Sequence, residues 1–516
     1  MRHRGLRDPR ALLAGLLLAL AAPAPGPAGA AEVPEAVLRR LASAGSRAAT
    51  LGELQELIRI ESISSLHEHQ GEVAKAAAWV AARMGAAGLE RVQVLETAKH
   101  PVVYGEWLHA GAGAPTMLVY GHYDVQPVDP AELWAHRPFS GDVVADGGPH
   151  GNETVVLGRG ANDDKGAGLV PALQGVEAVL RETGALPVNV KFMIEGMEEI
   201  GSPGLYDFMA AHKDLLACDV VVSSDGGFAF PGIPHVHLGN RGITGLEFKL
   251  VATSTDLHSG IWGGSVMNPL HAMAELIASL HRPDGSIAVE GYYDDVREVG
   301  PEERAGFAAL HAVEGGPYDE AANFAEVGAT GAPFGEAGWT TLERRWVRPT
   351  LEVNGMWGGF QGEGSKTVIP REAQAKLTSR LVANQDPVKA TELIKAHLVK
   401  HASPHVRLEF LGGGGWSNRA YHTDRKHPWN EAVGEVLEAL YGVKPVYAQS
   451  GGSIPAITWF KEILGVDTAE LALGSPDELI HAPNEFFRLE NFYKCQEGYA
   501  RLVYKLAEKM GKKSEL

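Results

Sequence analysis

The chain has 516 residues, of which 45% are hydrophobic and 21% charged, and its formal net charge is −18. That length exceeds one compact core and points to two domains, with the composition of an ordinary soluble globular protein. The acidity, unopposed by any run of Lys and Arg, argues against a nucleic-acid partner, and no repeat of solenoid period is present.

At the N-terminus, Arg2, Arg4, Arg7 and Arg10 precede an apolar stretch from Ala11 to Ala22, and Ala28-Gly29-Ala30 offers a small-x-small cleavage site. This is the layout of a secretory signal peptide, residues 1–30, with an apolar run too short to span a bilayer. An uncleaved anchor is the alternative. The protein is therefore expected to be exported, periplasmic or secreted, with no stable membrane span after cleavage. Export would permit a disulfide between Cys218 and Cys495, the two cysteines of the chain.

From about Glu32 to Gly239, helical patterns alternate with short apolar runs, as a parallel sheet covered by helices requires. Glu72 to Ala87 reads as a covering helix. Thr116–Tyr120, Asn189–Ile194 and Asp219–Ser223 read as buried strands, and Leu471–Leu473 as the end of a fourth. Asp163 and Asp164 precede a helical pattern from Lys165 to Arg181, where an acid suits the helix N-terminus. Near Gly242 the style shifts. LEFKLVAT is an alternating strand, Pro269–Leu280 a helix, and LEVNGMW, AQAKLTSRLV, a helix over Pro387–His401 and VRLEFL follow. Two β-α-β halves of this kind predict a smaller α+β, ferredoxin-like lid and dimerisation domain. The Gly412–Gly415 run returns the chain to the first domain, and HPWNEAVGEVLEALYG reads as one of its helices. The expected domains are catalytic over 31–240 and 421–516, with the lid over 241–420.

Metal-ligand residue types follow these strands. His122 and Asp124 come just after the first run, Glu198 and Glu199 after the second, Asp225 after the third, and His481 lies in a Pro-containing loop beyond the fourth. Ligand sites in open α/β sheets gather outside the carboxyl ends of the strands. Taken singly, each has a plainer reading: an HxD pair bonded to a turn, a solvated Glu-Glu loop, a polar loop histidine at 258. Taken as an ordered set, with Asp163, they predict two divalent ions, Zn²⁺ first and Mn²⁺ or Co²⁺ as substitutes. Two metals about 3.5–4 Å apart point to hydrolysis of an amide bond. His67, His69, His235 and His427 read as surface or packing residues.

GHYDVQPV, ELWAHRPF, GRGANDDKG, EGMEEIGSPGL, SSDG, DLHSGIWGGSVMNP, GSKTVIP, GGSIP and HAPNE occur in this order. The pattern resembles the co-catalytic dizinc metallopeptidases that include carnosinase-like dipeptidases, aminoacylase, acetylornithine deacetylase and glutamate carboxypeptidase. The long lid segment and GMWGGFQGEGSKTVIP most resemble the carnosinase-like branch. The resemblance implies that Asp163 bridges both metals, that His122 and Asp225 complete one site, and that Glu199 and His481 complete the other. It implies Glu198 as general base and Asp124 as the acid that orients His122. In the lid it implies that His258 stabilises the oxyanion of a partner subunit, making a homodimer, that Arg380 clamps the substrate carboxylate, and that Thr367 and Ser453 are lesser contacts.

Two departures bear on the substrate. Carnosinase-like members carry a His within the loop at Gly412–Gly415, where this chain has only Gly, and Arg-Glu before GGSIP, where it has Gln449-Ser450. The expected activity is an exported metallodipeptidase or carboxypeptidase acting on dipeptides or small peptides with a free C-terminal carboxylate. An N-acyl-amino-acid deacylase is the alternative. A non-catalytic peptide-binding relative is disfavoured, because binding alone needs no free base such as Glu198 beside the metals.

Overall fold

A computed structural model describes residues 32–145, 153–228, 233–311, 318–412 and 417–513. The predicted signal segment and residues 413–415 of the Gly-rich run lie outside them. The chain divides into two compact units: one of residues up to Leu238 with Thr423–Ala448 and Trp459–Leu516, the other of Gly239–His422 with Gln449–Thr458.

The first unit is built on a six-stranded sheet in the order Glu90–Leu95, Val102–Trp107, Asn189–Glu195, Thr116–His122, Val220–Ser223 and Thr468–Glu470. Its first two strands run antiparallel and the remaining four are mutually parallel. Val119, Phe192, Val222 and Ala469 are buried in these parallel strands, which explains their near-continuous apolar sequence. Helices Gln70–Ala86, Val170–Thr183, Pro428–Tyr441 and Leu489–Lys513 contribute Val80, Leu173, Val176, Leu437, Phe492 and Tyr499 to the same core. Helices Val170–Thr183 and Leu489–Lys513 approach closely at Gly175, where an added Cβ would lie 2.5 Å from the carbonyl oxygen of Gln496.

Two local expectations are corrected. The fourth parallel strand is Thr468–Glu470, not Leu471–Leu473; Leu471 and Leu473 are just as buried, so hydrophobicity alone does not separate strand from exit. Asp164 does not cap a helix with its side chain. Its carboxylate accepts the peptide N–H of His122 at 3.2 Å instead, because a buried acid finds more use for its oxygen in the sheet than at a helix end. The helical pattern begins as one wide π turn, Lys165–Leu169, before Val170–Thr183.

The second unit holds a sheet in the order Thr350–Gly358, Glu372–Leu381, Gly242–Val251 and Arg407–Leu411, with antiparallel neighbours. Together with helices Pro269–Ala278 and Pro387–His401 it has the β-α-β-β-α-β order of a ferredoxin-like fold. Phe248, Leu250, Met273, Leu276, Leu377, Ile394 and Leu398 form its core. Among the described residues no helix is long and apolar enough to cross a membrane. Cys218 and Cys495 are both free thiols.

Candidate metal centre

His122 closes its strand with a side chain fully removed from solvent. Its Nδ1 lies 3.0 Å from the main-chain oxygen of Asp124 and 3.4 Å from that residue's Oδ1. Such a pair fixes the ring and turns Nε2 outward, as a ligating imidazole requires. Nε2 lies 3.0 Å from Oδ1 of Asp163.

The other oxygen of Asp163, Oδ2, lies 2.9 Å from Nε2 of His481, and that nitrogen is 3.1 Å from Oε2 of Glu199. His122, Asp163 and Asp225 thus offer one group of ligand atoms within 4.8 Å of one another, and Asp163, Glu199 and His481 a second. Asp163 is common to both. Gln126 steadies Glu199 by donating to its Oε2 at 2.9 Å and to its main-chain oxygen at 3.1 Å. His481 is half-exposed and holds a left-handed backbone, φ +62°.

The donor set can be tested for its fit to a cation. Burial, and then the charge of Asp163, push Asp225 up to about 7. Burial, and then Asp225, raise Glu198 well above the usual carboxylate range. Oε1 of Glu199 is buried and accepts no hydrogen bond from the described residues. Hydrogen bonds to Asp163 and then Glu199 raise His481 to about 10, so without an ion the carboxylates draw protons onto the imidazole. A cluster that attracts positive charge in this way, with an orphaned oxygen, matches the N/O ligation of a borderline divalent ion.

Two residues that sequence reasoning missed hold Asp163 in place. Glu485 is fully buried and accepts the N–H groups of Asn162 at 3.0 Å and Asp163 at 3.2 Å through Oε1. Through Oε2 it accepts Gly160 N–H at 3.2 Å and Nη1 of Arg159 at 2.7 Å. Arg159 is 1% exposed. Both residues sit inside quoted motifs, GRGANDDKG and HAPNE; a buried arginine needs a buried acid, but neither segment marks the other as its partner. His235, expected at the surface or in packing, is buried, with Nε2 2.7 Å from Nε2 of His237.

In the second unit, His258 is exposed and its Nδ1 accepts the N–H of Gly260 at 3.0 Å. His258 pairs with Val368 in a short antiparallel ladder, and the exposed Thr367 beside it accepts Ser259 N–H at 3.1 Å through its main-chain oxygen. Arg380 donates from Nη1 to Oγ of Ser453 at 2.7 Å. Gln449 is buried and donates to Oε1 of Glu303 at 3.2 Å.

Residues 118–505 match the sequence pattern of peptidase family M20/M25/M40. The chain belongs to this family. As an M20 member it is a peptidase, and the side chains gathered around Asp163 could hold metal ions. It is 32% identical to the Cys-Gly metallodipeptidase of Schizosaccharomyces pombe over 79% of this chain and 83% of that one. To the human Beta-Ala-His dipeptidase it is 29% identical over 79% of this chain and 78% of the other. Among solved structures it resembles an M20 family metallo-carboxypeptidase from Sulfolobus solfataricus, with TM-score 0.73, 31% identity and coverage of 89% and 99%. Human carnosine dipeptidase 1 superposes with TM-score 0.69 at 25% identity, covering 93% of this chain and all of that one.

The expectation of an exported, periplasmic or secreted protein is corrected by these M20 relatives. The likeness is to the Cys-Gly metallodipeptidases of three yeasts, at 27–32% identity, and nothing in it carries export. That assignment is withdrawn.

Proposed function

We propose that this M20 chain is a dinuclear metal-dependent dipeptidase, hydrolysing the amide bond of dipeptides or small peptides with a free C-terminal carboxylate. The observation that carries the reading is the placement of Asp163, with Oδ1 toward His122 and Oδ2 toward His481. His122, Asp163 and Asp225 would hold one ion, and Asp163, Glu199 and His481 the other; the set suits Zn²⁺, with Mn²⁺ or Co²⁺ as substitutes. Bound there, the ions supply Lewis-acid polarisation of the scissile carbonyl and a water that is easily deprotonated.

The remaining steps fall to the chain's own residues. Glu198 belongs to neither ligand group, so its carboxylate is free to take a proton from the attacking water and return it to the leaving amine. Asp124 orients both His122 and the turn that carries Glu198. His258, with Nδ1 engaged by Gly260, has Nε2 left to donate to the oxyanion; its exposure suits delivery to the partner subunit of a homodimer. Arg380 clamps the substrate carboxylate with its planar fork, with Thr367 and Ser453 as lesser contacts.

Dipeptides are favoured over N-acyl amino acids by the names of the relatives, which are Cys-Gly and Beta-Ala-His dipeptidases. The test combines metal analysis with turnover on a dipeptide panel and an N-acetyl amino acid panel. The expected result is close to two divalent ions per chain, loss of activity on chelation and faster turnover of dipeptides. One tightly bound ion with full activity, or a preference for N-acetyl substrates, would overturn the reading.

A further inference from the structure

Arg380 has cationic company in the second unit. It lies opposite Ile243 in the ladder between Glu372–Leu381 and Gly242–Val251. Oγ of Ser453, which accepts from Arg380, itself donates to the main-chain oxygen of Arg241 at 2.5 Å. Arg241 stands two residues before Ile243, so the ladder and Ser453 together tie the two arginines to one place. Nε of Arg241 donates to the carbonyl of Gly451 at 3.1 Å, while its Nη1 is buried and, among the described residues, donates to no group. A Cβ on Gly451 would lie 3.2 Å from Nη2 of Arg241 and 3.1 Å from the carbonyl oxygen of Arg345. The guanidinium therefore packs close against Gly451.

No carboxylate among the described residues forms an ion pair with Arg241 or Arg380. Burial, and then the positive charges of Arg380 and Arg345, hold Arg241 down to about 10, against a weaker pull from Glu352. Burial alone lowers Arg380. The residue before Gly451 is the uncharged Ser450. A part-buried guanidinium without an acid is costly unless a ligand supplies one. A single substrate carboxylate answers one of these charges and leaves the other.

We propose that Arg241, tied to Arg380 through Ser453, receives a second carboxylate, so that the preferred substrates are dipeptides whose C-terminal residue is acidic. This rests on the reading of Arg380 as the clamp for the substrate's terminal carboxylate. The two anionic groups of such a residue, on the same Cα and one side chain, match two guanidinium forks better than one.

The experiment compares Ala-Glu with its neutral isostere Ala-Gln, and Ala-Asp with Ala-Asn, in the metal-loaded enzyme. The wild type is expected to favour the acidic member in kcat/KM by roughly tenfold or more, the lower end of what a charge-assisted hydrogen bond contributes. Arg241→Gln should bring the ratio close to one, with the change in KM rather than kcat, and Arg241→Lys should restore part of it. Product inhibition of the wild type, stronger for free glutamate than for glutamine, gives the same discrimination without any substitution. Equal rates on Ala-Glu and Ala-Gln in the wild type, or an unchanged ratio in a folded Arg241→Gln enzyme, would overturn the proposal. Should Arg380→Gln leave both substrates unaffected, the clamp reading itself fails, a result distinct from loss of the Glu-over-Gln preference alone.

Discussion

The carboxylate of Asp124 reaches across to the turn that carries Glu198: Oδ1 accepts the peptide N–H of Glu198 at 3.2 Å, and Oδ2 accepts that of Glu199 at 3.2 Å. Its main-chain oxygen meanwhile receives Nδ1 of His122 at 3.0 Å. One buried residue thereby sets the His122 imidazole, the Glu199 turn and the proposed base relative to each other.

Asp124→Asn should therefore act on more than the imidazole. An amide in place of the carboxylate presents its NH₂ to one of two peptide N–H groups and loses that acceptor. Metal affinity is expected to fall roughly 10–100-fold, the range for loss of a group supporting a ligand, and turnover at saturating metal should fall as well. Competition against a calibrated chelator measures the first; an unchanged affinity would restrict Asp124 to a packing role.

Glu198→Gln is expected to keep both ions and lower kcat by about 10²–10⁴-fold, since general-base catalysis contributes on that order. Metal analysis alongside steady-state kinetics checks both halves. Near-normal turnover would move the proton transfer to Asp124 or leave it unaided.

His258→Ala is expected to cost roughly 2.7–4 kcal/mol of transition-state stabilisation, as loss of one oxyanion donor does elsewhere, with a much smaller change in KM. Mixing His258→Ala chains with Glu198→Gln chains tests delivery across a dimer. Each is nearly inactive alone, and a mixed dimer contains one site with both residues intact. Absence of recovery after verified subunit exchange would place His258 in its own chain or outside the reaction.

Glu485→Ala removes the partner of a fully buried arginine and the acceptor for three peptide N–H groups around Asp163. Breaking a buried ion pair on one side costs about 3–5 kcal/mol. Urea unfolding of the metal-free chain should show that loss, and metal affinity should fall with it.

Gly175→Ala tests the helix packing independently of the site. The new methyl would meet the Gln496 carbonyl oxygen at 2.5 Å and Cβ of Tyr499 at 2.8 Å. Overpacking of this kind costs about 1–3 kcal/mol, read as a lower urea midpoint with metal content preserved.

The parallel strands and the residues at their ends were legible because two local signals coincide. Apolar runs such as Asn189–Glu195 mark strands buried on both faces, and ligand-type residues stand just after them. Asp164 was misread because a Gly-rich helical start after an acid has the same local pattern whether the carboxylate caps the helix or bonds His122. Glu485 and Arg159 were invisible for another reason: they lie 326 residues apart, and a pair that far separated leaves no periodicity in either segment. The edge strand Thr468–Glu470 is only three residues long, too short for a pattern to outweigh the equally buried leucines that follow.

Asp163 and His481 are separated by 318 residues, and the last parallel strand pairs with Val220–Ser223 from the far end of the chain. At a synthesis rate of about 5–20 residues per second, roughly a quarter of a minute to a minute passes between the emergence of the first half of the metal site and the second. During that interval the edge of Val220–Ser223 has no native partner and the cluster around Asp163 lacks both His481 and Glu485. The growing chain is thus exposed to mispairing at one strand edge while it is still without the means to cleave peptides, and both conditions end together when the C-terminal segment docks.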